Sequence, residues 1–254
     1  MHHIRTIRTI TGIMLIAGLA ALAAAEEDRR IAVKGTDGRV EYEFAGDELR
    51  SGYLKQFIAW AKQDAERTYP EDAERTYQED AVLCIGSSSM RGWRSIEKDL
   101  APVPIIHRGF GGSRMGAVVR FTDFFARYKA GRIVVYEGDN DMLGHGTPEQ
   151  FIENVRTFVN GIRETSADTE FFFITPKPSV ARWHLKEKFL KANAMLKALC
   201  DADDSIHYVD VWTPMCDANG EVKKDIFAKD NLHMNGKGYR IWTETVRPFL
   251  VEKE

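Results

Sequence analysis

The amino-acid sequence predicts an α/β fold, a doubly wound parallel sheet with helices on both faces. Two observations lead to this prediction. From residue 81 onward, short β-forming runs alternate with helical stretches, which is typical of this fold class. The β-forming runs are also apolar at successive positions, as in Phe171–Ile174. Strands of a parallel sheet are buried on both faces, so they lack the polar alternation of half-exposed strands.

The individual elements can be placed along this region in order. Strands are expected at five apolar runs: Ala81–Ile85, Val103–His107, Arg132–Tyr136, Glu170–Thr175 and Ile206–Val211. Helices are expected at four stretches with helical apolar periodicity: Met115–Tyr128, Pro148–Thr165, Trp183–Leu199 and Gly236–Val251. In such a sheet, functional residues are expected at the carboxyl ends of the strands.

The first 25 residues differ from the rest of the chain. Arg5 and Arg8 precede an apolar stretch, Ile10–Ala24, that is shorter than the roughly 20 residues of a membrane span. A basic start, a short apolar stretch and an alanine-rich end are typical of a secretory signal peptide, here cleaved near Ala25. An uncleaved N-terminal anchor is the alternative. We expect a secreted or periplasmic protein without stable membrane insertion after cleavage.

Residues 26–80 are interpreted as a helical extension that forms one domain with the core at 81–254. Glu48–Tyr69 has the pattern of an amphipathic helix, and residues 64–79 contain one octet almost copied in tandem. Two copies are too few for a solenoid, so the repeat is interpreted as a duplication that lengthens a surface helix or loop.

Composition excludes two classes of protein. The formal net charge of −3 provides no basic excess, which argues against nucleic-acid binding. Three cysteines are too few for a disulfide-rich fold. Cys84 lies in an apolar run, as a buried small hydrophobe would. Whether Cys200 and Cys216 pair in an oxidising compartment is left open.

Two motifs follow the first two predicted strands. Gly86-Ser-Ser-Ser89 comes after the first strand, where a serine at a strand-to-helix turn either presents its hydroxyl or caps the helix. Arg108–Ser113 contains three glycines after the second strand. A dinucleotide-binding loop would need glycine at the position of Arg114, so a backbone N–H donor or a tight turn is the better interpretation.

Two further motifs follow later strands. Glu137–Asp141 comes after the third strand, where Asn140 either aims its amide into a cleft or caps a turn. The acidic residues of this motif alone are a weak indication of a cation site. Asp230 lies three residues before His233 and directly before the last predicted helix. A carboxylate at this spacing can orient the imidazole on one loop turn.

Taken in this order, the four motifs resemble the sequence blocks of the SGNH, or GDSL-like, hydrolases. The most specific blocks are Gly138-Asp-Asn-Asp141 and Asp230-x-x-His233, and the resemblance extends from residue 81 into the last helix. It implies a three-layer α/β/α, flavodoxin-like fold. The three serines and the following Trp93 are similar to the platelet-activating-factor acetylhydrolase-like esterase branch.

The resemblance also implies the roles of individual residues. Ser88 matches the nucleophile, His233 the general base and Asp230 its partner. The oxyanion donors would be the backbone N–H groups of Ser88 and Gly112 and the side-chain amide of Asn140. No metal or organic cofactor is implied.

The sequence departs from the family pattern at two positions. Ser87 stands where the family has aspartate, and His107 stands where the second block usually begins with asparagine. Neither position supplies a triad atom, so activity is expected to survive. Because three serines are adjacent, Ser89 is a second choice for the nucleophile after Ser88.

The expected function is an exported serine esterase that removes short, acetyl-type groups from carbohydrate or small-molecule esters. Four loop residues after the second and fourth strands are expected to contact the substrate: Arg114, Lys177, Arg182 and Trp183. Surface or helix-capping roles are the alternative for each. Two other functions stay open. An O-acyltransferase would use the same triad, and a catalytically silent binding protein would use the same fold.

Overall fold

The computed structural model describes residues 30–34, 40–66 and 80–251 of the 254-residue chain. The predicted signal peptide and residues 67–79, which hold most of the octet repeat, lie outside the described residues. The chain divides into two compact units, residues 1–70 and 71–254, where the sequence predicts a single domain.

The first unit contains a β-hairpin as well as a helix, where the sequence predicts a helical extension. Its two strands, β1 (Arg30–Lys34) and β2 (Val40–Ala45), pair antiparallel. A short 3-10 helix at Gly46–Arg50 follows them. Helix α1 spans Leu54–Ala65 and begins later than predicted. Glu48, the predicted helix start, instead accepts hydrogen bonds from the Tyr42 hydroxyl (2.7 Å) and the Ala45 N–H (3.1 Å).

The second unit is built on a five-stranded sheet in the order β4-β3-β5-β6-β7, with every neighbouring pair parallel. The strands are β3 (Val82–Gly86), β4 (Ile105–Gly109), β5 (Arg132–Tyr136), β6 (Glu170–Ile174) and β7 (Ile206–Val209). Helices flank the sheet, which confirms the predicted three-layer α/β/α fold. Strand β4 begins two residues later than predicted, after Pro104, which lacks the N–H that a ladder needs.

The helices of this unit lie between and after the strands. They are α2 (Ser88–Gly92), α3 (Ile96–Asp99), α4 (Met115–Arg120), α5 (Thr122–Ala126), α6 (Pro148–Arg163), α7 (Lys186–Cys200) and α8 (Gly236–Leu250). The single helix predicted at Met115–Tyr128 is divided at Phe121, whose backbone is not helical (φ −108, ψ 26). The Thr122 hydroxyl donates to the Val119 carbonyl, a local bond that competes with the helical pattern.

An aromatic cluster on one face of the sheet connects the elements that carry the site. Trp242 of α8 packs against Tyr136 at the end of β5, with ring centroids 4.6 Å apart, and against Trp93 at 5.7 Å. All three side chains are buried. Burial of large rings is strongly favourable, so this cluster fixes α8 against the carboxyl ends of β3 and β5.

Within the described ranges, no helix combines the length and the apolarity needed to cross a bilayer. Cys84, Cys200 and Cys216 are free thiols. Burial raises the pKa of the Cys200 thiol to about 12.

Candidate active site

Ser88 lies immediately after the turn that ends β3. Gly86 closes this strand with φ +157, and a Cβ there would lie 2.4 Å from the Tyr136 carbonyl oxygen. Only glycine fits so close to β5. The Ser87 N–H donates to the same carbonyl (3.1 Å), and Ser88 then begins α2. The turn therefore places Ser88 at the carboxyl edge of the sheet, while Ser87 and Ser89 are buried.

Ser88, His233 and Asp230 form a continuous hydrogen-bonded chain. His233 Nε2 lies 2.9 Å from Ser88 Oγ, and Nδ1 lies 2.6 Å from Asp230 Oδ2. The hydrogen bond from His233 and the backbone N–H groups of Leu232 and His233 lower the pKa of Asp230 to about 2. Because this carboxylate only accepts, Nδ1 carries the imidazole proton and Nε2 accepts from the Ser88 hydroxyl.

A tight loop and a helix cap hold His233 in this position. Asp230 Oδ1 accepts from the N–H groups of Leu232 and His233, each at 3.0 Å, and Asn231 adopts a left-handed conformation (φ 56). Asn235 then caps α8, its Oδ1 accepting from the Lys237 N–H at 2.8 Å. The spacing of Asp230 and His233 thus closes one turn of loop just ahead of the last helix.

Asn140 lies in the turn after β5, with its side-chain amide fixed at both its nitrogen and its oxygen. Its Nδ2 donates to the Ser113 carbonyl (2.9 Å), and its Oδ1 accepts from Arg182 Nη2 (3.0 Å). Since a guanidinium only donates, the oxygen of the amide must face Arg182. The amide nitrogen therefore faces the glycine loop, and its second hydrogen is available to an oxygen of a bound molecule. Gly112 of that loop has φ +81 and is exposed.

A buried ionic cluster lies behind Asn140. Asp139 accepts from Arg182 Nη1 at 2.5 Å and lies 3.2 Å from Lys177 Nζ. Burial raises the pKa of Asp139, but Lys177 and Arg182 outweigh this effect and hold the pKa below its usual range. Lys177 also donates to the Leu232 carbonyl at 2.8 Å. This ammonium therefore joins the asparagine loop to the histidine loop.

The model of the GDSL-like Lipase/Acylhydrolase family matches residues 45–241. The chain belongs to this family. It is accordingly a carboxylic ester hydrolase. No curated protein matches the chain.

Solved structures share the fold of this acylhydrolase at low sequence identity. A GDSL-like lipase from Bacteroides thetaiotaomicron is 19% identical, with a TM-score of 0.62 over 76% of this chain and 96% of that one. A carbohydrate esterase family 3 protein from Talaromyces cellulolyticus is 15% identical, with a TM-score of 0.55 over 67% and 95%. A Streptococcus pneumonia protein, provisionally described as a platelet activating factor, is 19% identical, with a TM-score of 0.59 over 67% and 83%.

The structure of the acylhydrolase corrects two of the expected substrate contacts. The Lys177 side chain is 0% exposed, and Arg182 is only 13% exposed. Both pair with Asp139, and they also donate to the Leu232 carbonyl and the Asn140 amide oxygen respectively, so they position loops instead of meeting a substrate. Trp183 stacks on Trp212, with centroids 5.9 Å apart. Arg114 is exposed at the start of α4.

Glu137 is a buried acid that the sequence did not single out for a specific role. Its Oε1 lies 2.5 Å from the hydroxyl of Ser113, the residue whose carbonyl holds Asn140. Burial and the nearby charge of Asp141 raise the pKa of Glu137 well above its usual value. The Ser113 hydroxyl also donates to the Phe110 carbonyl at 2.9 Å. A protonated Glu137 can donate to Ser113 Oγ while that hydroxyl donates to Phe110.

A cavity of about 610 Å³ opens onto Ser88 and His233. Its other lining residues are Arg91, Gly92, Arg94, Met234 and Tyr239. The sequence motifs do not point to the two arginines. The available signal is their proximity to Ser88, which they follow by three and six residues. In the described part of the chain, no three His, Cys, Asp or Glu side chains group to hold a metal ion.

Proposed function

We propose that this acylhydrolase is an exported serine esterase that removes short, acetyl-type groups from carbohydrate or small-molecule esters. The observation that carries the proposal is the Ser88–His233–Asp230 chain, with contacts of 2.9 and 2.6 Å. A serine whose hydroxyl donates to an imidazole, itself oriented by a carboxylate, is an activated nucleophile.

In the acylation half-reaction, Ser88 Oγ attacks the ester carbonyl carbon and passes its proton to His233 Nε2. The carbonyl oxygen gains the negative charge, which the Asn140 amide and the N–H groups of Ser88 and Gly112 would hold. Asp230 stabilises the imidazolium. The bond from the carbonyl carbon to the alcohol oxygen then breaks, and His233 returns the proton to that oxygen.

Deacylation repeats these steps with water. His233 takes a proton from water, whose oxygen attacks the acyl carbon. The bond from that carbon to Ser88 Oγ then breaks, His233 returns the proton to Oγ, and the carboxylic acid leaves. The same donors serve both half-reactions because the oxyanion forms at the same atom.

The cavity supports a small or polar substrate. Its lining combines the polar side chains of Ser88, His233, Arg91 and Arg94 with Met234 and Tyr239, which suits an ester that carries polar groups. The carbohydrate esterase from Talaromyces cellulolyticus shares the fold and supports the proposed substrate class.

The test is hydrolysis of p-nitrophenyl esters from acetyl to dodecanoyl by the wild type, Ser88→Ala and Ser89→Ala. We expect the highest kcat/KM for the short esters and a loss of about a thousandfold or more in Ser88→Ala. Ser89→Ala, its control in the same helix, should retain activity. Equal activity of Ser88→Ala and the wild type would exclude Ser88 as the nucleophile, and a preference for dodecanoyl esters would contradict the short-acyl proposal.

Export is the part of the proposal that residues 1–25 support. A basic start, a short apolar stretch and an alanine-rich end are typical of a secretory signal. Mass spectrometry of the full-length gene product expressed in a bacterial host should find a new N-terminus next to Ala25. An intact N-terminus in the membrane fraction would favour the anchor instead.

A further inference from the structure

The cavity beside Ser88 is bordered by two arginines that the esterase mechanism does not use. Arg91 and Arg94 both line it, and both are exposed. Within the described ranges of the chain, neither side chain forms a hydrogen bond or an ion pair with another protein group. Arg163, by contrast, is paired with Asp203 at 2.9 Å.

Arg91 is held against the glycine loop that follows β4. A Cβ on Gly111 would lie 2.5 to 2.7 Å from three guanidinium atoms of Arg91. A Cβ on Gly109 would lie 2.4 Å from the Arg91 backbone nitrogen. The two glycines therefore make room for this arginine, and its guanidinium lies along the loop that carries Gly112.

Arg94 borders the same cavity next to Tyr239. The Tyr239 hydroxyl donates to the Ser89 carbonyl at 2.9 Å, and it lies 2.4 Å from the position of a Cβ on Gly92. The positive charge of Arg94 partly offsets the rise in the pKa of Tyr239 that burial causes. Tyr239 is thereby a fixed wall of the cavity, with Arg94 beside it.

The charges around the cavity favour an anion. Among the described residues that line it, none is acidic. Asp230 lies behind His233, and its carboxylate is already engaged by the imidazole and by two backbone N–H groups. The two guanidinium groups thus create a positive region at the mouth of the site, although the whole chain has a net charge of −3.

We propose that the substrate is an ester that also carries a carboxylate or phosphate group, and that Arg91 and Arg94 bind this anion while Ser88 attacks the ester. The proposal rests on the esterase function proposed above. Carboxylate and phosphate share the geometry that matters, since both present two oxygens to the planar donor fork of a guanidinium. An ester without such a group would leave both arginines solvated and unused.

The experiment compares anionic esters with neutral partners of similar size. With the anion on the alcohol side, 4-carboxyphenyl acetate and 4-acetoxyphenyl phosphate are each compared with methyl 4-acetoxybenzoate. With the anion on the acyl side, the 4-nitrophenyl monoester of succinate is compared with 4-nitrophenyl pentanoate. Each is assayed with the wild type, the double variant Arg91→Gln/Arg94→Gln, and Arg156→Gln, which removes a matched charge from an exposed position of α6.

For each pair, the measured quantity is the ratio of kcat/KM for the anionic ester to that for its neutral partner. In the double variant we expect this ratio to fall about 10- to 100-fold for the alcohol-side pairs, the acyl-side pair or both. Arg156→Gln should leave this ratio unchanged. The alcohol-side and acyl-side pairs show which part of the substrate carries the anion, and the two alcohol-side anions separate carboxylate from phosphate. Added salt should reduce the wild-type ratio, because exposed charges are screened.

Two results would overturn the proposal in different ways. If the ratios are the same in the wild type and the double variant while hydrolysis still depends on Ser88, the anion site is wrong and the esterase stands. If no ester is hydrolysed faster by the wild type than by Ser88→Ala, the esterase function fails, and the anion site with it.

Discussion

The general base, His233, is held by solvent-exposed contacts, whereas the amide donor, Asn140, is held by buried ones. His233 and Asp230 have side chains that are 41% and 49% exposed, so solvent reaches the pair that orients the base. Asn140 is instead held by Arg182, whose partner Asp139 is 6% exposed and also pairs with Lys177, which is fully buried. One region relies on a short local loop, and the other relies on charges brought together in the interior.

This difference separates the energetic roles of the two regions. Exposed ion pairs contribute little to stability because water competes for both charges, so the Asp230–His233 contact serves mainly to set the imidazole tautomer. Removing one member of a buried ion pair leaves an uncompensated charge, which costs several kcal/mol. Changes in the exposed region should therefore affect catalysis more than folding, and changes in the buried region should affect folding strongly.

The sharpest test in the exposed region is Asp230→Asn. Asparagine can still accept from the Leu232 and His233 N–H groups, but its NH₂ would donate to His233 Nδ1. The imidazole proton then moves to Nε2, which can no longer accept from Ser88. We expect kcat for p-nitrophenyl acetate to fall by about 10⁴-fold. The melting temperature should change little, and a large fall would show that this region also stabilises the fold.

The corresponding test in the buried region is Lys177→Met. Methionine fills a similar volume but leaves part of the Asp139 charge unpaired and the Leu232 carbonyl without its donor. We expect the free energy of unfolding to fall by about 3–5 kcal/mol, measured by urea denaturation. The matched control is Lys191→Met, which breaks an exposed pair with Glu149 and should cost less than about 1 kcal/mol. Equal effects of the two variants would remove the distinction between the regions.

Asn140→Ala tests the group that the buried cluster positions. It removes the amide donor and leaves the triad intact, so kcat should fall by about 10²- to 10³-fold with a smaller change in KM. Asn160→Ala, at an exposed position of α6, is the control. An unchanged kcat would mean that Asn140 does not stabilise the oxyanion and that its amide serves only the loop.

Glu137 adds a pH dependence to the buried region. The pKa of Glu137 is raised in the folded state, so this group stabilises the folded protein fully at pH values below the ordinary glutamate pKa. That stabilisation is lost as the pH rises toward the raised pKa. Over that range the free energy of unfolding should fall by up to about 1.4 kcal/mol per pH unit from this group. Glu137→Gln keeps a donor for Ser113 but cannot ionise.

The measurement is the difference in unfolding free energy between the wild type and Glu137→Gln at pH 5 and pH 7. The wild type should lose stability relative to the variant as the pH rises. A constant difference between the two proteins would contradict the raised pKa.

The sequence predicts the second unit well because its signals are local. Continuous apolar runs such as Ile133–Tyr136 mark strands that are buried on both faces, and all five predicted strands occur in the sheet. Asp230 and His233 are close in sequence, so their spacing already predicts that they can meet. The contact between His233 and Ser88 spans 145 positions, and only the family pattern connects them in advance.

What the sequence did not predict depends on packing between distant segments. The sequence predicts Lys177 and Arg182 as substrate contacts because they lie in the loop after the fourth predicted strand, at the carboxyl edge of the sheet. Their burial depends on Asp139, which comes from the turn after β5, and nothing local to either cation reveals that partner. The β-hairpin of the first unit did carry a local signal, since Val40-Glu-Tyr-Glu-Phe44 alternates apolar and acidic residues.

The single ammonium of Lys177 has a consequence for the evolutionary history of the site. It donates to Leu232 in the histidine loop and faces Asp139, which Arg182 links to Asn140. A change at Lys177 thus acts on the base and on the amide donor at once, so substitutions in the two loops should be epistatic. Descendants are expected to keep Lys177, Asp139 and Arg182 together or to replace them together, because loss of one member unbalances the charges of the buried cluster.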